Sequence, residues 1–292
     1  MRVVLLAVLF LSACSESEPP VAGAVGLEDE LCELPALRGD VETTFLSYGS
    51  EPWQRAALVR PVGRRQGRTL LVFVHGGGWV GGNLHEHLPL AEHYARRGFV
   101  AASVTYKLAT AGPTWPQPAY DVGCALKWAQ DNASDWGADP ARVTLIGTSA
   151  GGHLVSLVGA GSPDADCGQQ PPLLAVTVSA PAALLALTPR DAVYPRAISL
   201  LGADPGDAAT LWEAASADRH LTAQSAPFVV VHGARDRTVH TSVADVFVSA
   251  VEEAGGRVDY RILSGVRHGF EREPKHLSRL QCYLEPFLAL PP

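Results

Sequence analysis

The order of apolar patterns along this chain predicts an α/β fold, a mainly parallel sheet of eight strands with helices on both faces. Short apolar runs of strand length alternate with longer segments of helical periodicity, as strand–helix–strand units require. Two of the runs end in glycine-rich turns, which leave backbone rather than side chains at the strand ends. With 292 residues and 47% hydrophobic content, the chain can bury one large core, so a single folded domain is expected.

Residues 1–14 read as a targeting segment outside that fold. Arg2 supplies the charged start, and Val3 to Leu11 form an apolar run far too short to span a bilayer. The run ends Leu11-Ser12-Ala13-Cys14, which resembles the lipobox of bacterial lipoproteins, where Cys14 becomes the lipidated first residue. The alternative is a plain signal peptide cut nearby. Several acyl chains on one residue anchor stably, where a single chain would be marginal. Ser15, in place of Asp, is similar to the sorting position of outer-membrane lipoproteins. The resemblance thus implies an exported chain, lipid-anchored in the bacterial cell envelope. Residues 15–27, opening Ser15-Glu16-Ser17-Glu18-Pro19-Pro20, read as a flexible tether, and 28–292 as the domain.

Strands are expected near 43–48, 55–60, 70–75, 99–106, 142–147, 173–179, 227–232 and 257–263. Helices are expected near 85–97, 117–134, 150–160, 207–216, 241–254 and 274–289. The clearest is 241–254, where Val243, Val246, Phe247, Ala250, Val251 and Ala254 form one stripe that Gly255-Gly256 ends. Leu277, Leu280, Leu284 and Phe287 give the last helix its stripe, behind Pro274 at the start.

The chemistry centres on Arg142-Val143-Thr144-Leu145-Ile146-Gly147-Thr148-Ser149-Ala150-Gly151-Gly152, a buried strand, a G-x-S-x-G turn and a helix start. Such a turn holds its serine at the apex beside the free N–H groups of the helix. Upstream, the strand Thr69 to Val74 runs straight into His75-Gly76-Gly77-Gly78-Trp79. A strand ending in three glycines leaves N–H groups able to face a developing oxyanion. The two motifs in this order resemble the hormone-sensitive-lipase-like esterases of the α/β-hydrolase superfamily. The nearest branch contains bacterial carboxylesterases, feruloyl-esterase-like and kynurenine-formamidase-like enzymes, and the resemblance covers about residues 45–290.

That resemblance implies an α/β-hydrolase fold with a short lid segment and a serine carboxylesterase acting through an acyl-enzyme on Ser149. The chain order Ser, acid, His selects Asp236, after the run Phe228 to Gly233, and His268, after Leu263-Ser264-Gly265. The implied oxyanion donors are the N–H groups of Gly77, Gly78 and Ala150. Among the other histidines, His85, His87 and His93 are expected to be solvated, His75 to prop the glycine loop, and His153 to pack or hydrogen-bond. Asp245 and Asp259 are weaker rivals for the acid, Arg235 and Arg237 solvated neighbours, and Asp121 a candidate to orient the oxyanion loop. Residues 180–215 are too short for a large cap. Leu184 and Leu185 are expected to form one wall of an apolar pocket and Trp79 another, with Trp115 beside it. Such a pocket suits short acyl groups or small aromatic acids.

No metal or organic cofactor is implied, and the partner expected is a small-molecule ester. The formal charge of −7 and the absence of a Lys/Arg run argue against nucleic acid. Cys32, Cys124, Cys167 and Cys282 remain after Cys14, and four cysteines allow three pairings. The resemblance implies Cys124–Cys167 and Cys32–Cys282. Alternatives to the esterase are an amidase, formamidase or peptidase with the same triad, or a non-catalytic envelope binding protein on this fold.

Overall fold

A computed structural model describes residues 39–63 and 66–288, together with Cys32, Ala36 and Leu37. The expected leader with its Cys14, and the tether at 15–27, lie outside the described residues. Strands β1 (Val41–Ser47), β2 (Arg55–Pro61), β3 (Arg68–Val74), β4 (Val100–Val104), β5 (Ala138–Thr148), β6 (Leu174–Val178), β7 (Phe228–Gly233) and β8 (Val258–Leu263) form one sheet in the order β1-β2-β4-β3-β5-β6-β7-β8. The β1–β2 and β2–β4 pairs are antiparallel, and every other pair is parallel. This is the mainly parallel eight-stranded sheet that the sequence predicts.

The helices are α1 (Leu88–Arg96), α2 (Gln117–Asn132), α3 (Ala150–Ala160), α4 (Tyr194–Leu201), α5 (Ala209–Ala214), α6 (Thr241–Glu253) and α7 (Pro274–Leu288). Successive side chains of a strand point to opposite faces. In β3 that sends Leu70, Val72 and Val74 into one core, with Val122 and Leu126 of α2, Leu154 and Leu157 of α3, and Phe247 of α6. Leu71 and Phe73 enter the other core, with Tyr94 of α1 and Leu280 and Leu284 of α7. All residues of β3 are buried, which is why its sequence is a continuous apolar run rather than an alternation.

Helix α3 is buried along its whole length. Small residues permit this: a side chain at Gly151 would run into the carbonyl oxygens of Val74 and His75 at the end of β3. Removing the side chain brings the serine turn directly against the glycine loop.

The segment 180–215 holds more order than its sequence suggests. Residues 194–201, read only as part of a lid, form α4. Pro195 sits in the first turn, where its missing N–H has no intrahelical partner to lose, and Ala197, Leu200 and Leu201 bury one face. Gly202 ends the helix in the left-handed conformation.

Both disulfides implied by the resemblance are present. Cys124–Cys167 joins α2 to the loop before β6, and Cys32–Cys282 joins the segment ahead of β1 to α7. Two expectations need correcting. His87 is buried, with Nε2 3.3 Å from Thr148 Oγ1 and its ring against Phe73, because α1 folds down onto the sheet. Asp121 does not touch the glycine loop. Its carboxylate accepts from Trp53 Nε1, Gln54 Nε2, Gln117 Nε2 and the backbone N–H of Lys107, tying the turn before β2 and the chain after β4 to α2.

Candidate active site

The site lies where the parallel strands end. Ser149 follows β5 and takes φ +50° and ψ −120°, an unfavourable region for a residue with a side chain. Packing fixes it there: Ser149 N–H donates to Val178 O of the neighbouring strand at 2.8 Å, and its carbonyl accepts from His153 N–H at 3.0 Å. The turn thus points its hydroxyl out of the sheet edge.

His268 lies on the loop after β8 and Asp236 on the loop after β7. The structure brings both to Ser149. His268 Nε2 is 2.9 Å from Ser149 Oγ, and His268 Nδ1 is 2.7 Å from Asp236 Oδ2. With the Nδ1 proton donated to the carboxylate, the Nε2 lone pair faces the serine hydroxyl.

Asp236 is 4% exposed, and its other oxygen accepts from the backbone N–H groups of Thr238 and Val239 at 2.9 and 3.0 Å. Burial by itself would raise its pKa. Hydrogen bonds from His232 and His268, the charge of His268 and the Val239 amide outweigh burial and hold the carboxyl well below the ordinary carboxylate range. His232, on β7 four residues before Asp236, shares its Nε2–H between the Val239 carbonyl at 2.9 Å and the Asp236 carboxylate at 3.4 Å. Its part in bracing the acid loop was not legible from the motif alone. The spacing of four residues from Asp236 is the only trace of it.

The glycine loop supplies a facing wall. Gly77 adopts φ +108°, and any side chain there would collide with the Gly81 carbonyl, so the loop requires glycine at this position. Neither Gly77 nor Gly78 donates its N–H to another backbone group among the described residues. Ala150 opens α3, where the first N–H groups have no acceptor within the helix. His75 props the loop, as expected. Its Nδ1–H donates to the Gly76 carbonyl at 2.7 Å, its ring stacks on Tyr106 at 4.4 Å, and Tyr106 OH donates to the His75 carbonyl at 3.0 Å.

Among the described residues, Trp79, Leu184 and Leu185 do not line the space beside Ser149 as expected. Trp79 and Leu184 are fully buried in the core, and Leu185 packs against that core from its edge. Trp79 takes φ +60° and turns its indole inward, donating from Nε1 to His153 Nδ1 at 3.2 Å. His153 in turn donates from Nε2 to the Ala215 carbonyl at 2.7 Å. Burial pushes the His153 pKa down to about 4 against the pull of that carbonyl, so the ring stays neutral and its Nδ1 remains an acceptor. Trp115 is also drawn to this ring, 6.3 Å from it.

The cleft beside Ser149, of about 420 Å³, is instead walled by Gly76, Gly77, Gly78, Ala192, Val193 and Thr238, with Arg196, Glu271 and Arg272. The lid segment is pinned over it by Asp191, which sequence reasoning missed. Its buried carboxylate accepts from His240 N and Nδ1, each at 2.8 Å, and from Thr188 N and Oγ1. Ala192 and Val193 N–H donate to the Arg237 and Thr238 carbonyls, completing the seam between lid and acid loop.

Among the described residues no group of His, Cys, Asp and Glu side chains could hold a metal ion. The arrangement is a hydroxyl, an imidazole poised to take its proton and a carboxylate to hold the resulting cation, with the glycine loop lining the same cleft. It is suited to acyl transfer through a covalent serine intermediate.

Residues 58–251 match the BD-FAE family. Esterase LipQ of Mycobacterium tuberculosis is 28% identical over 84% of this chain and 61% of its own length. Esterase LipC of the same organism is 28% identical over 88% of this chain and 64% of its own. The chain thus spans about three fifths of the length of these curated relatives. Among solved structures, Thermogutta terrifontis esterase 2 phosphonylated by sarin superposes with a TM-score of 0.73 at 24% identity, covering 88% of this chain and 98% of that one. A truncated carbohydrate esterase from gut microbiota gives 0.71 at 17% identity, covering 91% and 99%. At these identities the superpositions speak to the fold, which is that of the α/β-hydrolases.

Proposed function

The chain belongs to the BD-FAE family, and from that premise we propose that it is a serine carboxylesterase, hydrolysing short-chain or small aromatic esters. The observation that carries this reading is the unbroken relay Asp236–His268–Ser149, with separations of 2.7 and 2.9 Å. Membership of a family whose relatives are named esterases supports it. His268 removes the Ser149 proton as the oxygen attacks the ester carbonyl. Asp236 holds the imidazole in the productive tautomer and balances its positive charge. The amides of Gly77, Gly78 and Ala150 receive the oxyanion, a contribution worth about 10²–10³-fold in turnover per donor. His268 then passes its proton to the leaving alcohol, and water repeats the attack to release the acid. The modest cleft supports a short acyl group over a long lipid chain.

The test is covalent and kinetic. Ser149 should be labelled by a fluorophosphonate, and Ser149→Ala should lose labelling and lower p-nitrophenyl acetate turnover by at least about 10⁴-fold with unchanged circular dichroism. An unlabelled Ser149 in folded protein would favour the non-catalytic reading.

We also propose that the chain works outside the cytoplasm, held to the cell envelope by lipid on Cys14. The leader sequence motivates this, and the two disulfides support an oxidising compartment. Mass spectrometry of the chain's N-terminal peptide, isolated from membranes, would decide it: an unmodified cysteine or a cut elsewhere sinks the anchor.

A further inference from the structure

The surroundings of Ser149 carry charge opposite to that of the whole chain. Acidic residues outnumber basic ones by 30 to 23. Yet Arg196 and Arg272 line the serine cleft, and Arg235, Arg237 and Arg267 line a second recess of about 750 Å³. The two spaces share Thr238 and His268, so they adjoin at the imidazole. All five arginines are exposed. Arg272 pairs with Glu86 at 2.8 Å. The other four have no carboxylate partner among the described residues.

The carboxylates that line the groove do not offset them. Asp236 is turned inward to its histidines and backbone amides, and Glu271 is largely covered. Burial raises the Glu271 carboxyl above its ordinary value despite a backbone hydrogen bond and the nearby His268 and Arg272 charges. A concave surface of one sign raises the local concentration of opposite charge.

The direction of catalysis tells which part of the substrate meets these arginines. His268 must deliver its proton to the leaving oxygen, so the alcohol portion leaves on the imidazole flank. Beside His268 and Thr238 on that flank lies the recess lined by Arg235, Arg237 and Arg267. Arg196 stands across the cleft, its Nη1 3.5 Å from the Gly77 carbonyl. Building on the esterase reading above, we propose that the natural ester carries carboxylate groups on its alcohol portion. Arg237 and Arg267, with Arg196 opposite, form the subsite that holds them. A guanidinium presents a planar fork matched to a carboxylate, which a solvated lysine does not. Two sources supply such an alcohol, a small hydroxy acid and a uronate-bearing glycan.

Two substrate pairs test this. The first is 4-acetoxybenzoate against 4-acetoxybenzamide. The second is O-acetylated polygalacturonate against the same polymer with its carboxyls methyl-esterified, followed by acetate release. At low ionic strength the carboxylate member should have the higher kcat/KM by at least about fivefold, and the preference should fade near 0.5 M salt, roughly where screening reaches a few ångströms. In Arg237→Gln/Arg267→Gln the ratio should collapse toward one, and in Arg196→Gln it should fall part of the way. A preference confined to the first pair assigns the small hydroxy acid, and one found with the polymer assigns the glycan. A ratio at or below one in both pairs, with the amide-bearing ester hydrolysed and Ser149 labelled, overturns the subsite while leaving the esterase intact. A preference that survives the arginine substitutions overturns it too. Absence of any turnover and of labelling removes the esterase reading itself, and this proposal with it.

Discussion

Trp79 shows how one residue can govern a site without touching it. Left-handed backbone at a bulky side chain costs roughly 1–2 kcal/mol, and here complete burial and the hydrogen bond to His153 hold it in place. Trp79→Phe keeps most of the apolar volume and removes the indole donor, leaving His153 Nδ1 buried without a partner. We expect a loss of about 1–3 kcal/mol by urea denaturation, and a lower kcat because Gly77 and Gly78 sit on the same loop. Destabilisation with kcat unchanged would show that the loop is held by other contacts. From the sequence, Trp79 and Leu184 read as pocket walls because an apolar residue beside a glycine loop looks the same whether it faces ligand or core. Their burial is decided by partners far along the chain, as His153 is for Trp79. Ser149 was legible because the G-x-S-x-G turn around it is local, whereas Asp236 and His268 followed from the resemblance and its chain order of serine, acid and histidine.

At the level of elements, legibility follows how much of the pattern is local. The buried strands and the striped helices α6 and α7 stand within a few residues of their expected places. Helix α4 escaped because eight residues with one proline offer too little periodicity. The disulfide Cys124–Cys167 binds α2 to the chain after α3 across a separation of 43 residues. Closing a loop of that size restricts the unfolded chain, so Cys124→Ala/Cys167→Ala should cost about 3–4 kcal/mol. Neither cysteine lines the serine cleft, so kcat and KM should hold. A change in kcat at full folding would mean that α2 carries strain to the site through Asp121 and its partners.

For the molecule as a whole, acidity should be the main threat to folding. Burial pushes both His87 and His153 down to about 4, His87 further disfavoured by the nearby His75 and Arg272 charges. The unfolded chain titrates these histidines near 6.5, so between about pH 6.5 and 4 it binds protons that the folded chain does not. Stability should therefore fall as pH drops through that window and level off below it, by about 2 kcal/mol for each histidine at pH 5. Urea midpoints at pH 7 and pH 5 measure it. In His153→Gln the pH dependence should shrink, and an unchanged slope would refute the assignment. The arginine-lined groove belongs to this scale as well. Its members come from α4 and the loops after β7 and β8, and no single stretch of sequence displays the cluster.

The Cys32–Cys282 bridge encloses nearly all of the described chain, with a separation of 250 residues. A protease that cuts any loop between those two positions therefore produces pieces that stay covalently joined. Nicked molecules would migrate at full mass until a reductant is added, and a single cut could not shed half the domain.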